Sequence, residues 1–415
     1  MVETRFKKMD IGEIPKDWEI DIIGNLCKTA SGGTPSRSNP SFYNGDIKWF
    51  TTGELNDGYL YDSIEHINKE ALNNSSAKLF DTGTVLMAMY GATIGKLGVL
   101  TQAATTNQAC CAFEHSSILS LYLFYYLLFK RKAIIELGCG AGQPNISQDI
   151  IKSILLFYPS NKGEQQRIAT CLNDIDTLLS ILDKKIEKKN LIKQGVMQQL
   201  LTGEKRLNGF TEPWVKKNIA EICTIKARIG WQGLKADEYL DYGNFVLITG
   251  TDFENGGINW SNCSFVSKER FEQDENIKIK QGDVLITKDG SIGKVAYLDF
   301  IPMEGTLNSG VFVVRPKDIS NLNNNYLALF FKSKFFENFI AQLKAGSTIA
   351  HLYQKDFIKL QLSYPKDLSE QAAIVTIFSD MDKEIEVLEA KRVKYEQVKQ
   401  GMMQQLLTGK IRLID

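Results

Sequence analysis

Paired cysteines, histidine clusters, a net charge and long apolar runs are all missing from this chain of 415 residues. Its seven Cys are odd in number and contain no CxxC pair, which argues for a reducing cytosol and against a disulfide framework. Three scattered His give no metal-ligand spacing, so no metal site is assigned. Forty-nine basic residues balance 49 acidic ones. That weighs against a protein that grips nucleic acid by bulk electrostatics, because each phosphate contact needs a basic side chain and displaces a counterion. The longest apolar run, 118–129, is shorter than the roughly 20 residues of a bilayer span, and its counterpart at 326–340 carries Lys332, Lys334 and Glu337. The first ten residues lack the apolar stretch of a secretory signal. We therefore expect no membrane association and a cytoplasmic location. No Ser/His/Asp, Cys/His or paired-carboxylate arrangement stands out, so no catalytic residue is assigned.

What the chain does contain is itself, twice. The apolar share of 43% is ample for two to four compact units. The stretch KKNLIKQGVMQQLLTGEKRL at 188–207 returns as KYEQVKQGMMQQLLTGKIRL at 394–413, an offset of 206. The same offset carries Tyr158-Pro159 onto Tyr364-Pro365, Glu164-Gln165 onto Glu370-Gln371, and Asp174 and Asp176 onto Asp380 and Asp382. Between these copies the correspondence is fainter. Trp18 answers Trp214, and Ile94-Gly95-Lys96 answers Ile292-Gly293-Lys294, with offsets that drift as loop insertions would make them. A long period of this kind is a tandem duplication, not a solenoid. We read four blocks, with boundaries 1–158, 159–207, 208–363 and 364–415.

In the second block Ile168, Leu172, Ile175, Leu179, Leu182 and Ile186 step by alternating fours and threes, the seam of a helix that packs along another helix. Shifting by 206 gives Ile374, Phe378, Met381, Ile385, Leu388 and then Arg392. Asn161-x-x-Glu164 and Asp367-x-x-Glu370 read as capping boxes, and Gly203 and Gly409 as stops. About 38 residues make a helix of about 57 Å. Gly195 and Gly401 inside each helix imply a close helix contact there.

Charge gives the pairing direction. Residues 164–183 hold Glu164, Asp174, Asp176 and Asp183 against Arg167, a net of −3, and residues 184–206 net +5. In the second copy, 370–389 nets −5 and 391–413 nets +5. An antiparallel pair sets each acidic half beside the other's basic half, whereas a parallel pair stacks like on like. Each half also complements its own helix macrodipole, so the alternative of two solvated helices that each cap a neighbouring domain stays open. The expected fold is α+β: two domains separated by two long antiparallel helices forming a coiled coil, with a pseudo-twofold internal repeat.

Residues 1–158 and 208–363 show short β-rich runs, at 84–89, 98–101, 284–287 and 311–314, and then one aromatic-rich helical stretch each, at 121–137 and 326–343. Their polar loops mix hydroxyl, amide and basic side chains suited to base edges and phosphates. The candidates are Thr34, Ser36 and Arg37; Thr93 and Lys96; Gln143 and Asn145; Arg228 and Gln232; Lys288, Ser291 and Lys294; and Ser347, Thr348, His351 and Tyr353. Gly-rich polar loops are also plain turns, so this alternative stands beside each.

On the alternating plan, the run GxMQQLLTG, the opening IPKDWE and the loop at 31–37, the chain resembles a specificity subunit of a type I restriction-modification system. The resemblance covers essentially the whole chain. It implies a non-catalytic subunit whose two target-recognition domains each read one half of a split double-stranded DNA sequence, with the helices as spacer. It also implies two modification subunits that bind S-adenosylmethionine and methylate adenine, and restriction subunits that cleave using ATP and Mg. No cofactor is expected on this chain.

Two motifs point elsewhere. The loop 136–142 mimics the glycine-rich S-adenosylmethionine loop, and Asn39-Pro40-Ser41-Phe42 is one letter from a catalytic Asn-Pro-Pro-Phe, so a stand-alone DNA methyltransferase is the alternative. Yet a cofactor loop leaves a strand and opens a helix, while this one follows a helical stretch. The run 91–96 mimics a phosphate-binding loop but has the wrong spacing and continues with Leu97, which makes a tight turn between strands the better reading.

Overall fold

Strand residues point alternately to the two faces of a sheet, so a short run that is apolar at every position belongs to a sheet covered on both sides. The computed structural model describes residues 6–9, 12–138, 145–229, 233–345 and 351–414. They form two compact units, Met1–Asp183 with Ala390–Asp415, and Lys184–Glu389. In the first, β1 (Lys28–Ser31), β2 (Gly58–Leu60), β3 (Val85–Ala88), β4 (Leu97–Leu100) and β5 (Cys110–Glu114) make a sheet of order β1-β5-β3-β4-β2. It is antiparallel except where β2 lies beside β4. Val85 and Met87 enter one core with α1 (Ser120–Leu137), while Leu86 and Ala88 enter another with Phe50, Phe80 and Leu100. A long helix, α2 (Lys162–Thr202), follows.

The second unit repeats the plan. Its strands β6 (Cys223–Lys226), β7 (Val284–Thr287), β8 (Val295–Tyr297) and β9 (Val311–Pro316) have the order β6-β9-β7-β8, all antiparallel. Val284 and Ile286 face the helical core, and Leu285 faces Val311 and Val313 in the other. The single aromatic helix expected at 326–343 is two, α3 (Asn324–Phe331) and α4 (Lys334–Ala345). The break is built by Ser333, which is buried and donates its hydroxyl to the Phe330 carbonyl at 2.5 Å. It lets Phe331 meet Phe336 edge-on, with ring centroids 4.9 Å apart. The last helix is α5 (Leu368–Leu406). Among the described residues no helix is long and apolar enough to cross a membrane.

In each unit the segments of α2 and α5 run antiparallel, because partner numbers fall on one helix as they rise on the other. In the first unit Glu164, Asp176 and Asp183 pair with Arg412, Lys399 and Arg392. In the second, Lys189, Lys193 and Arg206 pair with Glu384, Asp382 and Glu370. Ile168, Leu172, Ile175, Leu179 and Leu182 are buried, as are Ile374, Phe378 and Ile385, while Met381 and Leu388 are half-buried. The first seam residues also serve the domains: Ile168 and Leu172 share a core with Tyr122 and Leu406, and Ile374 and Phe378 share one with Tyr326 and Leu200.

Two expectations for the helices are corrected. Gly195 and Gly401 lie on exposed faces, and an added Cβ at either meets nothing within 4 Å, so neither marks a helix contact. The capping boxes do not close either. Asn161 accepts the Gly163 N–H at 2.7 Å and Asp367 the Ser369 N–H at 2.8 Å, but both box glutamates are turned to arginines. A fully buried carboxylate needs a charged partner more than a second cap bond. The stops hold: Gly203 and Gly409 have φ of 74° and 70°.

Candidate nucleic-acid interface

The hairpin turn between β3 and β4 contains Thr93 and Lys96, and it turns on Gly91 and Gly95 at φ 83° and 75°. The backbone there gathers other segments. Tyr90 bridges to Asn145, Ile146 donates to the Met89 carbonyl at 2.8 Å, and Met89 donates to that of Ala109 at 2.9 Å. Beside Ala109, Gln108 accepts the Thr34 hydroxyl at 2.5 Å, and Gly33 donates to Thr106 at 2.8 Å. The loop at 31–37 therefore sits against the same cluster. Gly33 must be glycine, since a Cβ would fall 2.2 Å from the Ser76 backbone. Ser36 is exposed and bonded to Ser38. Arg37 makes a two-pronged pair with Glu65 at 2.5 and 2.7 Å and lies over Tyr43, 4.1 Å from its centroid. The Arg37 guanidinium holds the Glu65 carboxyl below its ordinary range.

The second domain assembles the same set. The turn between β7 and β8 carries Lys288, Ser291 and Lys294, with Gly290 and Gly293 at φ 64° and 84°. Asp289 bridges to His351, Leu352 donates to the Lys288 carbonyl at 2.8 Å, and Lys288 donates to that of Gly310 at 2.9 Å. His351 also meets Asp289 side chain to side chain, and its ring lies 4.4 Å from that of Tyr353. Burial lowers the Lys288 ammonium from its ordinary range. Tyr90 and Asn145 in one domain thus stand where Asp289 and His351 stand in the other: one backbone frame holds two sets of side chains.

Arg228 is a correction. It is 1% exposed, and its guanidinium donates to Leu307 O at 3.0 Å, Gln273 at 3.0 Å and Thr306 at 3.2 Å. It braces Thr306 and Leu307 from inside the domain, and its guanidinium is spent on these contacts. Gln143, Gln232, Ser347 and Thr348 lie outside the described residues. Sequence reading missed Tyr90, Gln108, Asp289 and Asn308. Asn107 and Asn308 carried the signal, since each caps its own turn through its side-chain oxygen, from Ala109 N at 3.2 Å and Gly310 N at 3.1 Å.

The enzyme-like motifs resolve into structure. Asn39 accepts from Ser41 N and Oγ at 3.2 and 2.6 Å, capping a short helical turn in which Phe42 is buried. Gly138 ends α1, so the glycine loop leaves a helix and not a strand; residues 139–142 lie outside the described ones. Residues 91–96 join two strands, and Lys96 donates to Asp57 at 3.2 Å.

The comparisons agree with this duplicated plan. A family described as "Type I restriction modification DNA specificity domain" matches residues 15–193 and again 211–397. The MjaVIII specificity subunit of Methanocaldococcus jannaschii is 25% identical over 99% of this chain and 97% of its own length. The MjaIX specificity subunit of the same organism is 28% identical over 85% and 84%. A crystal structure of a type I restriction-modification S subunit from M. genitalium shares the fold, with a TM-score of 0.58 at 16% identity over 94% of this chain and 96% of that one. The chain belongs to the type I restriction-modification DNA specificity family.

Proposed function

We propose that this chain reads a split duplex DNA sequence, one half-site per domain, with domains at 1–158 and 208–363 and helical spacers at 159–207 and 364–415. The observation that carries the reading is the repeated cluster: the same hairpin turn, Asn-capped segment and single-residue β-bridge in both domains, bearing Tyr90 and Asn145 in one and Asp289 and His351 in the other. A shared frame with exchanged side chains suits two readers of different sequences. The buried helix pairings suit a spacer of fixed length. In this reading the chain is non-catalytic and binds no cofactor. It assembles in the cytoplasm with two modification subunits that carry S-adenosylmethionine, and with restriction subunits that use ATP and Mg. Those partners would share the enclosure of DNA, which accounts for a neutral specificity chain. The test replaces residues 208–363 with the matching segment of another family member and maps methylated adenines. One half of the recognised sequence changes and the other stays; a change in both halves rejects the modular reading.

A further inference from the structure

The two clusters differ in how their cations are balanced. Asp57 in the first domain has φ 62°, precedes Gly58 and stands beside the lysine hairpin, its N–H donating to Leu97 O at 2.9 Å. Asn255 holds the matching place in the second, with φ 50° and followed by Gly256, whose carbonyl accepts the Tyr297 N–H at 3.0 Å. The identity of that residue sets the charge nearby. Asp57 accepts from Lys96 at 3.2 Å, from Arg131 Nη1 at 3.1 Å and from Leu97 N at 3.0 Å. Arg37, the other cation of that cluster, is taken by Glu65. Among the described residues, each cation at the first domain's candidate loops touches a carboxylate, with Lys96 and Arg131 sharing that of Asp57.

The second domain has an amide at that place. Asn255 is uncharged, and the exposed Lys294 ammonium has no ion pair or hydrogen bond among the described residues. Lys288 lies over the Phe312 ring, 5.3 Å from its centroid, with the Asp289 carboxylate as its neighbouring charge. The nearby acids are engaged: Asp289 with His351, and Asp252 with Thr249 and Asn262.

We infer that the second domain carries the phosphate grip through Lys294, while in the first the matching Lys96 is already engaged by Asp57, and that the Asp57/Asn255 difference sets this division. The inference rests on the DNA-reading proposal and adds to it a division of labour that the duplication alone does not require. Each phosphate neutralised by a free lysine releases a counterion, and a lysine already in an ion pair releases fewer.

The test measures binding of the full chain, purified with its modification subunits, to a mixed-sequence duplex of about 40 base pairs, with salt varied from about 50 to 200 mM. A mixed sequence is sufficient, because phosphate contacts do not depend on the bases. Lys294→Ala should reduce the slope of log affinity against log salt by about 0.9, and Asn255→Asp, which puts a carboxylate at the place that Asp57 holds in the first domain, should reproduce most of that loss. Lys96→Ala should leave the slope unchanged. Equal slopes for Lys294→Ala and the unmodified complex, or an equal loss from Lys96→Ala, overturn the inference and leave the DNA reading standing. Absence of duplex binding by the unmodified complex overturns both.

Discussion

Arg412 donates to Glu164 at 2.6 and 2.8 Å across 248 residues of sequence, and Arg206 and Glu370, one repeat away from each, do the same at 3.0 and 2.5 Å. Both glutamates are fully buried. In each case the acid opens one long helix and the base lies just past the end of the other. Next to each acid, Gln165 and Gln371 accept the N–H of Leu119 and Asn323 and donate to Pro159 and Pro365. The repeated Glu-Gln pair therefore ties one end of a helix to its neighbour helix and to its own domain.

Removing one partner of a buried ion pair leaves the other uncompensated, at a cost of about 3 kcal/mol or more. Arg412→Met should destabilise the first unit by that order in urea unfolding, and the double variant Arg412→Met with Glu164→Leu should recover part of it. A double variant that merely adds the two losses would contradict the pairing.

Gln165→Leu should remove the acceptor of the Leu119 amide, costing about 1–3 kcal/mol. Hydrogen exchange checks it: residues 119–123 should lose protection, while the equivalent residues of the second domain keep theirs.

Glycines inside and beyond the helices should respond in opposite senses. Gly195→Ala has open space around the new methyl group and should stabilise the chain by about 0.5–1 kcal/mol. Gly409→Ala should destabilise it, because φ is +70° and the Cβ would fall 2.3 Å from Pro15 Cγ. Thermal melting of the two variants decides it.

For Asp57, burial works to raise the pKa, but the Leu97 N–H together with Arg131 and Lys96 holds it below the ordinary 3.8. A carboxyl lowered on folding stabilises the folded chain above its unfolded pKa, and that contribution is lost as pH falls through the folded value. The Tm difference between the unmodified chain and Asp57→Asn should therefore be largest near about pH 6 and should shrink toward about pH 3. A difference that does not change with pH would contradict the assignment.

The helices were legible because their signal is periodic and repeated: the seam from Ile168 to Leu182 and the opposed charges gave both existence and direction. What escaped was set by tertiary context. Gly195 is invisible to a period count, since a small residue reads alike at a contact or on a bare face. Glu164 looked like a cap because spacing cannot show Arg412, 248 residues away, reaching it first. Arg228 reads as a DNA contact because it is basic and in a polar loop, although the site that buries it is assembled from Gln273, Thr306 and Leu307. Nothing in the sequence around Asp289 points to His351, 62 residues away, whose bridge and side-chain contact give Asp289 its place in the cluster.

The most direct test of the account inserts one heptad into both long helices, after Ile186 and after Leu388. These points fall between the ion pairs of the two units, so Asp183 with Arg392 and Lys189 with Glu384 both survive. Mapping methylated adenines in cells that carry the variant should give the same two half-sequences separated by a longer gap. Altered half-sequences, or an unchanged gap, would contradict the proposal that each domain reads one half-site and that the helices set the gap.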